Sequence, residues 1–283
     1  MMKDQAWKLR DLIPDTEIYP RLEKNFHAKR LAITSGKGGV GKSVIALNFA
    51  LLLAKHDYRT LLIDGDINLS KLPIMTDTAP RYDFVDLKRG KKMLQEIIYE
   101  YQPGCSILPT GSGALELINH RDEFQQHFQN QFQQLNDKFD YMLIDSASGI
   151  SSIVFSELAS SDEVIVVATP EPTSIADAYA VIKIMSYYYP QIPLHLLLNL
   201  VESADEAVET YKKFNLITQK FLHRQVNYLG FLSRDENVLA SIKKQQPLAL
   251  TNESLFVEQL NKVMHRWLES FHQDFQSVNE LRN

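Results

Sequence analysis

Cysteine is nearly absent from this sequence, since Cys105 is the single one among 283 residues. A lone cysteine forms no internal disulfide and cannot build a site in which several thiolates hold a metal. Such scarcity is typical of proteins in a reducing compartment, so we expect a cytoplasmic protein. The eight histidines lack carboxylate partners at the spacing of metal ligands, and they predict no metal centre.

Long apolar runs and an excess of positive charge are also missing. No stretch approaches the roughly 20 apolar residues that span a bilayer, so any membrane contact should be peripheral. The N-terminal segment carries charges where a signal peptide has an apolar core. The formal net charge of −5 argues against non-specific nucleic-acid binding by the whole surface. The densest basic stretch is DLKRGKK at 86–92, so direct nucleic-acid binding is not expected.

Short apolar runs are what the sequence does contain, and helix-length segments separate them. The runs are Leu31–Thr34, Thr60–Asp64, Ser106–Pro109, Tyr141–Asp145, Glu163–Ala168, Leu194–Leu200 and Tyr228–Leu232. They are apolar almost throughout, which indicates strands buried on both faces of a parallel sheet. Strand–helix alternation predicts βαβ units with right-handed crossovers. The expected fold is a doubly wound α/β domain, with a predominantly parallel sheet of about seven to eight strands flanked by helices.

The segment 36–43, GKGGVGKS, fits the phosphate-loop pattern Gly-x-x-x-x-Gly-Lys-Ser. Its glycines allow the backbone to wrap around phosphate oxygens, with the N-terminus of the next helix behind them. Lys42 would reach the β- and γ-phosphates, and the Ser43 hydroxyl would bind Mg²⁺. An apolar strand precedes the loop and a helical pattern follows, which disfavours a chance glycine loop. The residues predicted to bind nucleotide here are Gly36, Lys37, Gly38, Gly39, Val40, Gly41, Lys42, Ser43 and Val44.

Three carboxylates follow two of the predicted strands. Asp64 and Asp66 close the run that begins at residue 60, and Asp145 closes the run that begins at residue 141. Taken singly, each also fits a helix cap or a turn. Parallel sheets bind ligands at the carboxyl ends of their strands, so three carboxylates beside a phosphate loop favour a Mg²⁺–nucleotide site. We expect Ser43, Asp64 and Asp145 to be the metal ligands.

A second lysine, Lys37, stands near the start of the loop, and the loop resembles the deviant Walker A motif of the MinD/ParA class of P-loop ATPases. The resemblance implies an ATP-dependent homodimer in which Lys42 contacts its own ATP and Lys37 reaches the partner's. It also implies that Asp66 orients the attacking water, which makes Lys37 and Asp66 the expected catalytic residues. Without the resemblance, Lys37 reads as a solvated lysine of a loop.

Longer stretches are similar to FlhG, the family also called FleN or YlxH, whose members set flagellar number and placement. These stretches are YMLIDSASGIS at 141–151, TPEPTSIADAYAVIK at 169–183 and YLGFLSRDENVLASIKKQQPLAL at 228–250. DQAWKLR at 4–10 matches the family's N-terminal motif Asp-Gln-Ala-x-x-Leu-Arg. The resemblance therefore covers nearly the whole chain. It implies a slow, partner-regulated ATPase that uses ATP, ADP and Mg²⁺.

The resemblance also implies partners. The residues expected to dock on the GTPase FlhF are Asp4, Gln5, Leu9 and Arg10. Flagellar switch-complex proteins and a flagellar transcription regulator are further expected partners. At the adenine, Asn199 matches a base-reading asparagine of the family, and we place Arg234 beside it. Asn199 equally fits a turn at the end of a strand.

Some residues depart from the family pattern. In DGDINLSK at 64–71, Asn68 replaces a glycine and Lys71 replaces an asparagine, while Asp66 is kept. Ser233 stands where a proline is common beside the adenine. The altered loop suggests a second hypothesis, a nucleotide-binding regulatory module with little hydrolysis. A third, a ParA-type partitioning ATPase, is disfavoured because the chain has no dense basic stripe and no added DNA-binding domain.

We divide the chain into an N-terminal extension at 1–25, an ATPase domain at 26–269 and an amphipathic helical tail at 270–283. The last helix carries one apolar stripe, formed by Leu260, Val263, Met264, Trp267, Leu268, Phe271 and Phe275. Such a stripe either closes the domain or contacts the inner face of the cell membrane in a reversible way. We expect residues up to Leu268 to pack on the domain and 271–281 to form the detachable part.

Overall fold

The computed structural model describes residues 28–66, 71–109, 134–251 and 254–280. Its strands are β1 (Lys29–Ser35), β2 (Thr60–Gly65), β3 (Tyr99–Gln102), β4 (Cys105–Leu108), β5 (Tyr141–Ser148), β6 (Glu163–Ala168), β7 (Leu194–Val201) and β8 (Asn227–Ser233). The predictions for the extension at 1–25, with Asp4, Gln5, Leu9 and Arg10, and for Asn68 lie outside the described residues.

The eight strands form one sheet in the order β3-β4-β2-β5-β1-β6-β7-β8. All neighbours in it are parallel except β3, which pairs with β4 in the antiparallel direction. Every one of the seven predicted runs is a strand, so the doubly wound, mostly parallel sheet is confirmed. Strand β3 was not predicted, because it is a short edge strand of partly exposed residues joined to β4 by a tight turn at Gly104 (φ 78°).

The helices among the described residues are α1 (Lys42–Lys55), α2 (Leu72–Met75), α3 (Phe84–Lys88), α4 (Leu94–Ile97), α5 (Ser152–Ala159), α6 (Pro172–Tyr188), α7 (Ala204–Leu222), α8 (Glu236–Lys244), α9 (Leu248–Thr251) and α10 (Leu255–Glu280). They cover both faces of the sheet. Leu31 and Ile33 of β1 pack into the cluster that includes α1, α9 and α10, whereas Ala32 packs into the cluster of α3 to α7. This alternation explains why β1 had to be apolar throughout.

Helix α10 closes one face of the domain. Its fully buried side chains include Leu260, Met264 and Trp267, while Leu268 is 9% exposed. The Trp267 ring packs edge-on against Phe49 of α1, with 5.6 Å between centroids. The helix continues unbroken through residue 270 to Glu280, so the expected boundary at 269/270 falls within one helix. The side chains of Phe271 and Phe275 lie outside the described part.

Among the residues that the structure describes, no helix has the length and apolar character that crossing a membrane requires.

Candidate active site

The carboxyl ends of three central strands bring the predicted site residues together. Strand β5 lies between β1 and β2, with Asp145 in register with Ile33 on one side and with Asp64 on the other. The loop 36–41 leaves the end of β1 and leads directly into α1. Because α1 begins at Lys42, its unpaired N-terminal amides face the loop. The structure thus places the phosphate loop, Asp64 and Asp145 at one edge of the sheet, as the sequence predicted.

The loop has a shape that requires glycine at several positions. Gly39 and Gly41 have φ angles of 81° and 89°, in the left-handed region that glycine adopts without strain. A side chain at Gly36 would meet the backbone of Asp177 at 2.4 Å, so α6 passes directly against the start of the loop. Ser35 Oγ donates a hydrogen bond of 2.9 Å to the carbonyl of Lys37, which further holds the turn.

Lys42 is buried and forms an ion pair with the carboxylate of β5. Its Nζ lies 3.0 Å from Asp145 Oδ1, and the two side chains are 6% and 1% exposed. Asp145 Oδ2 is buried and has no hydrogen-bond partner among the described residues. A buried carboxylate oxygen without a donor is a good ligand for a hard cation, and the ammonium beside it is a good partner for phosphate. The donor set therefore fits Mg²⁺ together with a polyphosphate.

The carboxylates do not build a metal cage alone. Within the described ranges, no group of three or more His, Cys, Asp or Glu side chains is arranged to hold an ion. Mg²⁺ usually takes one or two carboxylates and completes its shell with waters and substrate phosphates. The residues that would hold it here are Ser43, Asp64 and Asp145, and they fit that mode of binding.

Asp66 makes an ion pair with a residue that departs from the family pattern. Lys71 Nζ lies 2.8 Å from Asp66 Oδ2, with side-chain exposures of 47% and 13%. The hydrogen bond to Asp66 raises the pKa of Lys71. The backbone amide of Asp66 also donates to Asp64 Oδ1 over 3.3 Å. Asp66 is therefore held from two sides, and one of its oxygens is engaged by a cation.

Lys37 lies in a different environment from Lys42. Its Nζ is 2.6 Å from Glu171 Oε2 and donates to Thr173 Oγ1 over 3.3 Å, on the exposed rim where α6 begins. The hydrogen bond from Lys37 lowers the pKa of Glu171. Lys37 thus points along the surface of its own chain, away from the buried pair of Lys42 and Asp145.

The two residues predicted at the adenine differ in their surroundings. Asn199 is 5% exposed, and its Nδ2 donates a hydrogen bond of 2.8 Å to the carbonyl of Val40 in the phosphate loop. Arg234 is exposed on the rim, with its Nε 3.3 Å from Glu202 Oε1. The structure therefore brings Asn199 to the loop and leaves Arg234 at the periphery.

Sequence reasoning missed Glu157 of α5. A Cβ added to Gly65 would lie 2.8 Å from Glu157 Oε1, and Glu157 Oε2 is buried without a hydrogen-bond partner in the part of the chain described. Burial raises the pKa of Glu157 well above its ordinary value, and the charges of Asp145 and Asp64 raise it further. No local motif marks this residue, because α5 reaches the site only through the packing of the sheet.

Comparison with known proteins agrees with this geometry. The sequence profile described as an AAA domain matches residues 28–192. The chain is 31% identical to the antiactivator FleN of Pseudomonas aeruginosa over 216 residues, covering 76% of this chain and 77% of FleN. It is 30% identical to the flagellum site-determining protein YlxH of Helicobacter pylori over 266 residues, covering 93% of this chain and 89% of YlxH.

Among solved structures, MinD of Pyrococcus horikoshii in complex with Mg-ADP superposes with a TM-score of 0.69 at 23% identity, over 84% of this chain and 94% of that chain. At this identity the likeness establishes the fold. The two flagellar relatives, matched over most of their own length, establish more: the chain belongs to the FleN, YlxH and FlhG family of MinD/ParA-type P-loop ATPases.

Proposed function

We propose that this chain is an ATP-dependent dimerisation switch that controls flagellar number and placement. ATP binding joins two protomers, and hydrolysis to ADP and phosphate returns monomers. The observation that carries the proposal is the separation of the two loop lysines. Lys42 is buried against Asp145, whereas Lys37 lies on the exposed rim, where a second protomer has access to it.

The two lysines contact the phosphates of different nucleotides. Lys42 serves the β- and γ-phosphates of its own protomer, because its ammonium sits where the helix N-terminus meets the loop. Lys37 leaves Glu171 and offsets charge on the phosphoryl group bound by the other protomer, as an arginine finger does. Mg²⁺, when bound, neutralises charge on the β- and γ-phosphates. Ser43, Asp64 and Asp145 are the residues that would hold it.

Asp66 orients the attacking water. The water oxygen forms the new bond to the γ-phosphorus while the bond to the ADP oxygen breaks. Asp66 accepts a hydrogen bond from that water, so the oxygen lone pair is directed at phosphorus. Asp66→Ala keeps every residue that binds phosphate and removes this acceptor.

Size exclusion of Asp66→Ala with ATP and with ADP tests the switch. Slow hydrolysis should trap an ATP-bound dimer of the variant, whereas ADP should leave it monomeric. Lys37→Ala in the same Asp66→Ala background is the matched control, because it removes the group that crosses the interface. An Asp66→Ala protein that stays monomeric with saturating ATP contradicts the switch.

The relatives named FleN and YlxH support the flagellar role, and the resemblance of 4–10 to the N-terminal motif of the family supports a partnership with FlhF. We propose that 4–10 docks on FlhF through Asp4, Gln5, Leu9 and Arg10 and stimulates its GTP hydrolysis. Gln5 and Arg10 are residue types that position water and offset charge in activators of this kind. A peptide of residues 1–25 should raise the GTPase rate of FlhF, and a peptide with Gln5→Ala and Arg10→Ala should not. Equal rates with both peptides would overturn the assignment.

Location follows from the same proposal. The chain works in the cytoplasm, with reversible recruitment to the inner face of the cell membrane by residues 270–283. The buried face of α10 is already engaged by the domain, so the membrane contact rests on the part beyond it. The ATP-bound dimer should sediment with anionic liposomes more than the ADP form, and deletion of 270–283 should abolish the difference. Equal sedimentation of full-length and truncated dimers contradicts this contact.

The ion pair between Lys71 and Asp66 favours a second candidate, a nucleotide-binding module with little hydrolysis. A carboxylate held 2.8 Å from a lysine ammonium is a weaker acceptor for water. Phosphate release measured alone and with a partner separates the two functions. A rate that no partner raises above background, in a protein that still dimerises with ATP, supports the second candidate.

A further inference from the structure

Asn199 is joined to the phosphate loop by its side-chain amide. Its Nδ2 donates to the carbonyl of Val40 over 2.8 Å, and a Cβ placed on Gly41 would lie only 2.4 Å from the same nitrogen. Asn199 is 5% exposed and Val40 is 3% exposed, so the bond is shielded from water. The contact joins the end of β7 to the two residues immediately before Lys42.

The backbone next to Asn199 is strained in a way that directs this side chain. Leu200 has φ 58°, a left-handed conformation that costs a leucine free energy and that glycine adopts without cost. At the same place the register of β7 against β8 shifts between Asn199 and Val201. Bulges next to active sites commonly redirect a side chain. Here the bulge lies beside Asn199, whose side chain reaches the loop through its hydrogen bond to Val40.

We propose that Asn199 is a positioning residue that braces the phosphate loop, so that the backbone amides at 38–42 are set for phosphate before any nucleotide arrives. The brace acts on phosphate binding whatever the base. This inference rests on the proposed function in one respect: the ligand of the loop is a nucleotide polyphosphate.

If Asn199 only contacted the adenine base, its substitution would have a different effect. Among the described residues, no hydrogen bond to Asn199 Oδ1 is formed, so this oxygen remains available to an exocyclic amino group of a base. If Asn199 only reads adenine, its substitution lowers the affinity for ATP and leaves the affinity for a ligand without a base unchanged. If Asn199 braces the loop, its substitution lowers both affinities by the same factor.

The test compares Asn199→Ala and Asn199→Leu with wild type and with Asn237→Ala, an exposed asparagine on α8. Asn199→Leu keeps the approximate size of the side chain and removes the N–H donor without adding a charge beside the phosphate site. Hydrogen exchange is measured without nucleotide at the amide of Ile45, which donates to the carbonyl of Gly41 over 3.0 Å, and, as a reference for global stability, in β1 and β6. Affinity is then measured for inorganic tripolyphosphate, ATP and GTP.

Both Asn199 variants should lower protection of the Ile45 amide roughly two- to tenfold, the effect of one lost hydrogen bond, while β1 and β6 stay as in wild type. Tripolyphosphate and ATP affinity should fall by that same factor, and Asn237→Ala should match wild type. Unchanged exchange at Ile45 in both variants overturns the brace, as does weaker ATP binding with unchanged tripolyphosphate binding. Failure of the dimerisation switch is distinguishable, because the exchange arm uses neither nucleotide nor dimer.

Discussion

Lys42 Nζ lies 3.0 Å from Asp145 Oδ1 in a pair that is almost completely buried, at the point where the phosphate loop becomes helix α1. Removal of one partner from a buried pair leaves the other charge unpaired, which costs about 3–5 kcal/mol. Nucleotide binding and the stability of the nucleotide-free domain should therefore both suffer when one partner of this pair is removed.

Lys42→Ala should abolish ATP binding and also lower the free energy of unfolding of the nucleotide-free protein by about 3 kcal/mol. Calorimetry with ATP and denaturant titration without it measure the two effects. Lys262→Ala, which breaks an exposed pair with Glu258 on α10, should leave both properties close to those of wild type. Lys42→Met combined with Asp145→Asn should recover stability without recovering ATP binding. Unchanged ATP affinity in Lys42→Ala would overturn the site assignment.

Lys37→Ala should separate binding from turnover. The lysine side chain is exposed and contacts Glu171 and Thr173 on the rim of its own chain, so the monomer should bind ATP with wild-type affinity. Dimerisation and hydrolysis should both be lost, because the cation that serves the partner's nucleotide is missing. Calorimetry, light scattering and phosphate release measure these three properties. Normal turnover by this variant contradicts the action of Lys37 across the interface.

Glu171→Gln should strengthen the ATP-dependent dimer. Glu171 Oε2 holds Lys37 Nζ at 2.6 Å in the single chain, and this contact competes with the partner's nucleotide. An exposed ion pair is weak, so the dimer dissociation constant should fall only about two- to fivefold. Sedimentation velocity in ATP measures the change, with Glu209→Gln on α7, which breaks an exposed pair with Lys213, as the control. A weaker dimer would show that Glu171 itself contributes to the interface.

Lys71→Asn should raise the basal rate of ATP hydrolysis. Loss of the ammonium frees Asp66 Oδ2 to accept a hydrogen bond from water, and the ion pair that opposed this contributes up to about 1 kcal/mol. We expect kcat to rise about two- to fivefold with KM unchanged, as phosphate release reports. Lys92→Ala, which breaks an exposed pair with Glu96, is the control. A lower kcat would mean that Lys71 assists the reaction.

Glu163 at the opposite end of the sheet should make stability depend on acid pH. Burial alone would raise its pKa, but His195 and Lys29 outweigh burial and lower the pKa of Glu163 from 4.5 to about 2. Its Oε2 also accepts a hydrogen bond of 2.8 Å from Trp267 Nε1, which ties α10 to the sheet. A carboxyl with a depressed pKa stabilises the fold above its unfolded pKa and loses that effect as the pH falls through the folded pKa.

The stabilisation due to Glu163 is therefore about 3 kcal/mol at neutral pH and disappears between about pH 5 and about pH 2. The stability difference between wild type and Glu163→Gln should shrink by that amount over this window, as denaturant titrations at each pH would measure. The exposed Glu269 of α10, changed to Gln, is the control. A constant difference across the window would contradict the charged network around Glu163.

The sequence alone determined the fold class and the phosphate loop. Seven strands were predicted because a strand that is buried on both faces of the sheet appears in the sequence as an uninterrupted apolar run. The loop was predicted because all its residues, from Gly36 to Ser43, are consecutive and the following helix begins at once. Asp145 was placed beside the loop by the rule that parallel strands end at one edge of the sheet.

Tertiary structure alone decided how the site is held. Asn199 and Val40 are 159 residues apart in the chain, and their hydrogen bond exists only because β7 ends in a bulge beside the loop. Strand β3 escaped prediction because an exposed edge strand has no apolar run, and Glu157 because it reaches Gly65 through the packing of α5. Apolar periodicity reports which residues are buried, whereas the partner of a polar side chain depends on which elements the folded sheet brings together.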